Sequence, residues 1–144
     1  MRTYKNSSNG NIKVLYIVAH RLGRSPGQRF RFEQYLNFLK ENGIDYTISY
    51  LLNEKDDKYF YSKGNYFRKF IILLKSIFIR FKDLKHCKKY DLVFYGHSHK
   101  PWIEKIGKTK LVNPGNLAGV YYKATFATYD TKTEELELKI LERL

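Results

Sequence analysis

The sequence predicts an α/β fold: a βαβαβ parallel sheet with helices on its faces, continued by an antiparallel β extension at the C-terminus. Three observations predict it. Residues 12–19, Ile-Lys-Val-Leu-Tyr-Ile-Val-Ala, form a near-continuous apolar run rich in β-branched residues, as in a strand covered on both faces. Two stretches with apolar residues three and four apart separate this run from two later strand-like runs. Beyond residue 99 the helical spacing stops, and short strand-like segments alternate with polar turns. The chain has 144 residues, 43% of them hydrophobic and including 10 Phe and 13 Tyr, which fits one domain with a packed core.

Each element has a local reason. Residues 1–11, with Asn6-Ser7-Ser8-Asn9-Gly10, read as a disordered leader, and 12–144 as one α/β domain. After the first strand comes a basic, glycine-containing loop, 20–27. Ser25 as N-cap and Pro26 as first helical residue open a helix that runs to about Gly43, with Phe30, Phe32, Tyr35, Leu36, Phe38 and Leu39 on its apolar face. Residues 46–52 give the second strand, and the charged stretch 53–65 a loop. From Tyr66 to about Cys87 the spacing is helical and basic. Its stripe of Phe67, Phe70, Ile71, Leu74, Ile77, Phe78, Phe81 and Leu84 is expected to be core. Its longest unbroken apolar run has five residues, far short of the roughly 20 that span a bilayer. Residues 91–95 form the third strand, 103–113 two short strands about a Gly107 turn, and 121–129 with 136–141 a hairpin.

Charge is unevenly placed. Of the net +13, residues 1–94 carry 19 Lys+Arg against 8 Asp+Glu, a net of +11, and residues 95–144 carry 8 against 6, a net of +2. Such an excess suits a phosphorylated small molecule or a peripheral anionic membrane, the latter through the lysines and arginines of the 66–87 helix. Nucleic acid ranks lower, because the aromatics follow core periodicity and no nucleic-acid motif is present. The single cysteine, Cys87, permits no intramolecular disulfide and no thiolate zinc cage, and the polar start carries no secretory signal. A cytoplasmic location is expected.

The sharpest chemical signal is Gly96-His97-Ser98-His99 at the end of the third strand. Imidazoles at i and i+2 lie on one side of extended chain, and neutral imidazole suits manganese, zinc or a similar divalent metal. If the strands order as second, first, third, His20 at the end of the first strand converges with His97 and His99, where open α/β sheets bind ligands. Arg24 and Arg29, beside a glycine-containing loop and a helix start, are candidates for binding phosphate.

From Tyr90 onward the chain resembles the C-terminal part of the calcineurin-like metallophosphoesterases, in the small bacterial and archaeal phosphodiesterase branch. The residues are 91–101 with Gly-His-Ser-His, then Leu111-Val112-Asn113-Pro114-Gly115-Asn116, then Ala124-Thr125-Phe126-Ala127. The resemblance implies that His97 and His99 contribute to a two-metal site for phosphodiester hydrolysis, that Asn113 lies near the phosphate, and that the β tail pairs subunits into a homo-oligomer. The first-strand Asp-x-His, Gly-Asp-x-x-Asp and Gly-Asn-x-Asp or Gly-Asn-x-His of such enzymes, and a further isolated His, are absent. Hydrolysis is therefore expected to be weak or absent. Residues 12–94, with Gly23-Arg24-Ser25-Pro26-Gly27-Gln28-Arg29-Phe30-Arg31-Phe32-Glu33-Gln34-Tyr35, resemble instead the N-terminal part of a family 4 glycosyltransferase of the two-Rossmann-domain type. That resemblance implies a module binding a phosphorylated sugar or an anionic lipid. Together the two suggest a hybrid chain, natural or engineered, joined near the third strand, and a recombined scaffold without selected function is the remaining reading.

Overall fold

The computed structural model describes residues 3–5, 12–96 and 98–141. In chain order the elements are β1 (Thr3–Lys5), β2 (Ile12–His20), α1 (Pro26–Arg31), a 3-10 turn (Glu33–Tyr35), α2 (Leu36–Glu41), β3 (Ile44–Leu52), α3 (Glu54–Phe60), α4 (Tyr66–His86), a second 3-10 turn (Cys87–Lys89), β4 (Leu92–Phe94), β5 (Trp102–Ile106), β6 (Thr109–Asn113), β7 (Thr125–Tyr129) and β8 (Leu136–Ile140). A six-stranded sheet orders them β1-β3-β2-β4-β6-β5, and β7 and β8 form a separate antiparallel pair. The four inner strands, β3, β2, β4 and β6, run parallel; β1 and β5 are antiparallel edges. The predicted class stands, with the order β3-β2-β4 for the three strands of the βαβαβ unit.

Both faces of β2 are covered, which is why its sequence is apolar almost throughout. One face carries Val14 with Tyr46, Ile48 and Leu92, packed under Leu36, Phe32 and Leu39 and under Tyr129 and Leu136 of the terminal hairpin. Tyr16 is sandwiched there, its ring stacked on Phe32 at 4.6 Å and on Phe94 at 5.3 Å. Burial of the Tyr16 hydroxyl, with Tyr46 adding a smaller push, raises its pKa to about 12. The other face carries Leu15, Val93 and Cys87, with Ile17, Tyr90 and Leu111 around them. Cys87 is thus a core residue, its thiol donating to the Leu84 carbonyl.

Four local expectations are corrected. Thr3–Lys5, inside the expected disordered leader, pair with β3 as an edge strand; residues 1–2 and 6–11 of that leader lie outside the described residues. The single helix expected up to Gly43 is broken into α1, a 3-10 turn and α2, because Phe32 leaves helical geometry to stack on Tyr16. Gly43, at φ +70°, ends the segment as expected. The stretch 53–65 is not all loop: Asn53 caps α3, its side chain accepting from the Asp56 amide at 2.8 Å, and Glu54, Asp56 and Asp57 fill the first turn. The α4 stripe is not core. Its inward side holds Ile72, 1% exposed, and Asp83, while Phe67 and Phe78 stand 79% and 74% exposed.

A polar anchor decides which side of α4 faces the sheet. The Ser49 hydroxyl of β3 donates to both Asp83 oxygens, at 2.7 and 2.8 Å. Arg80 donates to Asp83 at 2.7 Å and, through its other amino group, to the Val18 carbonyl at 2.6 Å. These bonds tie α4 to β3 and β2 by charge-assisted contacts that only the Ser49-facing side can make.

The path from β4 to β6 positions the candidate site. β5 runs back along the edge and β6 returns between it and β4, turning at Gly107 with φ +62°. β4 and β6 therefore end at the same sheet edge, and the loops that follow them become neighbours. At the opposite edge Asp91 clamps the strands. Its carboxylate accepts from the Lys13 amide at 2.8 Å, its own amide donates to the Lys13 carbonyl, and its carbonyl accepts from the Lys110 amide.

Candidate functional site

The carboxyl edge of β2, β4 and β6 collects the chemically distinctive residues. β2 extends past its last pairing with β4, Tyr16↔Phe94, as far as His20. The segment after Phe94 carries Gly96-His97-Ser98-His99, and the segment after Val112 carries Asn113-Pro114-Gly115-Asn116. β3, β2 and β4 run parallel, but the chain lays β3 on one side of β2 and then crosses to lay β4 on the other, so the carboxyl ends of β2 and β4 flank a topological switch point.

The two loops brace each other. Asn113 is 1% exposed. Its amide donates to the Ser98 hydroxyl at 2.9 Å, and its side-chain oxygen accepts from the Gly115 amide at 3.1 Å. Gly115 sits at φ +78°, where a Cβ would collide with the Thr125 hydroxyl. Thr125 donates its hydroxyl to the Pro114 carbonyl at 3.0 Å and its amide to the Asn116 carbonyl at 3.0 Å, tying the loop to β7. The Asn-Pro-Gly-Asn sequence is thus a bracket beneath the segment that carries Ser98 and His99, and Asn113 joins it through both its amide nitrogen and its side-chain oxygen.

His99 is the described member of the histidine pair; His97 lies outside the described residues. His99 adopts φ +57°, and its ring lies 5.8 Å from that of Tyr121. Its Nδ1 is 3.1 Å from the Asn116 amide nitrogen. That amide is oriented by Val120, whose carbonyl accepts from the Asn116 nitrogen at 3.0 Å and whose N–H donates to the Asn116 oxygen at 3.3 Å. With the amide so fixed, Nδ1 of His99 is the acceptor, and the proton of a neutral ring sits on Nε2. In this arrangement neither ring nitrogen of His99 offers a free lone pair.

His20 is different. It is half-buried, and its Nδ1 is buried without a hydrogen-bond partner among the described residues. An orphaned imidazole nitrogen at a switch point fits a metal or a proton donor. No group of three His, Cys, Asp or Glu side chains able to hold a metal occurs among the described residues. The donor set on view fits a divalent ion at His20 and fits it at His99 only after the Asn116 contact is released.

The arginines have other partners. Arg24 Nε donates to Asp57 Oδ2 at 2.6 Å, and Arg21 donates to the same oxygen at 3.0 Å. Burial pushes the Asp57 carboxyl up, but hydrogen bonds from Arg24 and Arg21, with their charges, outweigh it and hold it below the ordinary carboxylate range. The Asp57 hydrogen bond likewise raises Arg24. Arg24, expected to bind phosphate, is therefore engaged by α3, the helix that the sequence reading took for loop. Arg29 stands exposed on α1, a helix of six residues. Tyr61, Gln28 and Asn116 are the residues around the candidate site that sequence reasoning did not single out. Tyr61 lies 6.4 Å from His20 ring to ring, and the Gln28 amide donates to the His20 carbonyl at 3.0 Å.

Part of this chain is similar to proteins of one class. Residues 75–134 match the family model of the calcineurin-like phosphoesterase superfamily domain, which supports the metallophosphoesterase reading of that region. The phosphodiesterase MJ0936 of Methanocaldococcus jannaschii is 28% identical over 136 residues, which cover 93% of this chain and 70% of the archaeal protein. A solved structure, described as a structural and functional characterization of a novel archaeal phosphodiesterase, aligns over 89% of this chain and 99% of that one, with 14% identity and a TM-score of 0.37. The glycosyltransferase resemblance of residues 12–94, and with it the hybrid chain, finds no support; the match to the archaeal phosphodiesterase runs across both halves.

Proposed function

We propose that this chain is a phosphodiesterase-type metallophosphoesterase relative that holds a divalent cation at the carboxyl edge of β2 and β4, through His20, His97 and His99, and hydrolyses phosphodiesters weakly. The observation that supports the reading is that β2 ends at His20, with its orphaned buried Nδ1, beside β4, whose chain continues into the Gly-His-Ser-His sequence. The match of residues 75–134 and the phosphodiesterase name of the archaeal relative support the reaction class. A bound divalent ion would supply charge for a phosphoryl oxygen and a more acidic water. The chain's own part is to position imidazoles: Asn113 and Ser98 fix the loop, and Asn116 sets the His99 tautomer.

Weak activity follows from the donor set. It is all imidazole, and His99 is engaged by Asn116. Manganese, zinc or a similar ion remains the expected cofactor, a phosphorylated small molecule the substrate class, the cytoplasm the location and pairing through the β tail the assembly. Calorimetric titration with manganese and zinc, alongside turnover of bis(p-nitrophenyl) phosphate, tests the proposal. Binding that disappears in a His97→Ala/His99→Ala variant, with slow manganese-dependent turnover, is the expected result. Equal metal binding by the double variant and the parent protein overturns it.

A further inference from the structure

α4 carries two stripes, and the structure buries the less apolar one. Ile72 and Asp83 are buried on the side toward the sheet, and Ser76 and Ile79, spaced so as to share that side, are partly buried. On the opposite side Phe67, Phe70, Leu74, Phe78 and Phe81, spaced three, four, four and three apart, form a continuous exposed row along the helix. Isolated surface hydrophobics are ordinary, but a single row of four phenylalanines and a leucine pointing away from the body of the protein is a docking surface.

Charge tells what docks there. Arg68, Lys75 and Lys82, seven residues apart, line one flank of the apolar row. Arg68 lies over the Tyr59 ring at 3.9 Å, which braces that flank from below, while Arg80 turns inward to Asp83 and takes no part in it. A second copy of the chain laid on this face would set basic row against basic row, each within a molecule of net charge +13. An anionic bilayer surface meets both features at once. Its acyl boundary takes the phenylalanines, and its phosphates take the lysine and arginine heads at the end of their apolar stems. No helix among the described residues is long and apolar enough to cross a membrane, which restricts α4 to lying in the interface.

We infer that α4 is a peripheral membrane-docking helix that seats the outward Phe67–Phe81 face in the surface of an anionic phospholipid bilayer, with its basic flank of Arg68, Lys75 and Lys82 on the lipid phosphates. The inference is independent of the metal site.

Sedimentation with large vesicles tests it, using phosphatidylglycerol mixed with phosphatidylcholine against phosphatidylcholine alone at low ionic strength. The protein is expected to sediment with the anionic vesicles and to stay largely in solution with the zwitterionic ones. Phe70→Glu/Phe78→Glu alters exposed positions only, and its far-UV circular dichroism should match the parent; its partition onto anionic vesicles should fall by about tenfold or more. Lys75→Glu/Lys82→Glu should weaken anionic binding and flatten its dependence on salt. Absence of binding to anionic vesicles at low salt overturns the inference, as does unchanged partition of the phenylalanine variant. A stable dimer in sedimentation velocity that the phenylalanine variant dissolves overturns it in favour of a second copy as the occupant.

Discussion

At the scale of single residues, the tautomer of His99 is set from outside the ring. Val120 fixes the Asn116 amide by two backbone contacts, and the amide then donates to His99 Nδ1. Replacing Asn116 by Asp reverses the polarity of that contact: a carboxylate accepts from Nδ1–H and leaves the Nε2 lone pair free, as in carboxylate–histidine–metal arrangements. Asn116→Asp should therefore tighten manganese or zinc binding by roughly tenfold in calorimetry, and His99→Ala in the same background should abolish the gain. Asp57 gives a second residue-scale expectation. Its folded pKa lies below its unfolded value, so the folded state binds fewer protons; the stabilisation is complete above the unfolded value of about 3.9 and is lost as pH falls through the lower folded value. Asp57→Asn should lower the melting temperature near neutral pH, and its deficit against the parent should shrink steadily on acidification below about pH 4. The role of Asp57 was hidden in the sequence because its partners, Arg21 and Arg24, lie more than thirty residues upstream. The histidine pair was legible as a motif, but the bracket under it was not, since the Asn113 to Ser98 bond joins the ends of two strands that only the sheet makes neighbours.

At the scale of elements, α4 shows what periodicity can and cannot say. Spacings of three and four located the helix to within a residue or so, since Tyr66 to about Cys87 was expected and Tyr66–His86 is found. The same spacing pointed to the wrong buried face. Hydrophobicity ranks faces by transfer energy, whereas this helix is held by a buried carboxylate bonded to Ser49 and Arg80. Removing one member of such a buried network leaves charge without a partner, at a cost of about 3 kcal/mol. Asp83→Ala should therefore destabilise the protein by about that amount in urea unfolding, where Lys85→Ala on the exposed side changes little. The N-terminal helical region illustrates the opposite limit: Ser25, Pro26 and Gly43 marked its ends correctly, yet no local rule anticipated that Phe32 would break it to reach Tyr16.

At the scale of the whole molecule, the sheet order unites these parts. β2 is the central parallel strand on which β3 and β4 lay themselves from either side, and β5 allows β6 to add in parallel without a helical crossover. The carboxyl edge thus acquires His20, the histidine loop and its bracket, while the far side of α4 remains open. Charge falls into the same division. The net +11 of residues 1–94 includes the arginines neutralised by Asp57 and the basic flank of α4, and the near-balanced remainder holds the bracket. By itself the sequence determined the strands after β1, the ends of the first helical region and of α4, the Gly107 turn and the Gly-His-Ser-His motif, but neither β1 nor α3, because what it determined is written in short local spacings. Only the tertiary structure decided which strands are neighbours, which face of α4 is buried and which nitrogen of His99 carries the proton. Those outcomes depend on contacts between residues far apart in the chain, and no local pattern encodes them.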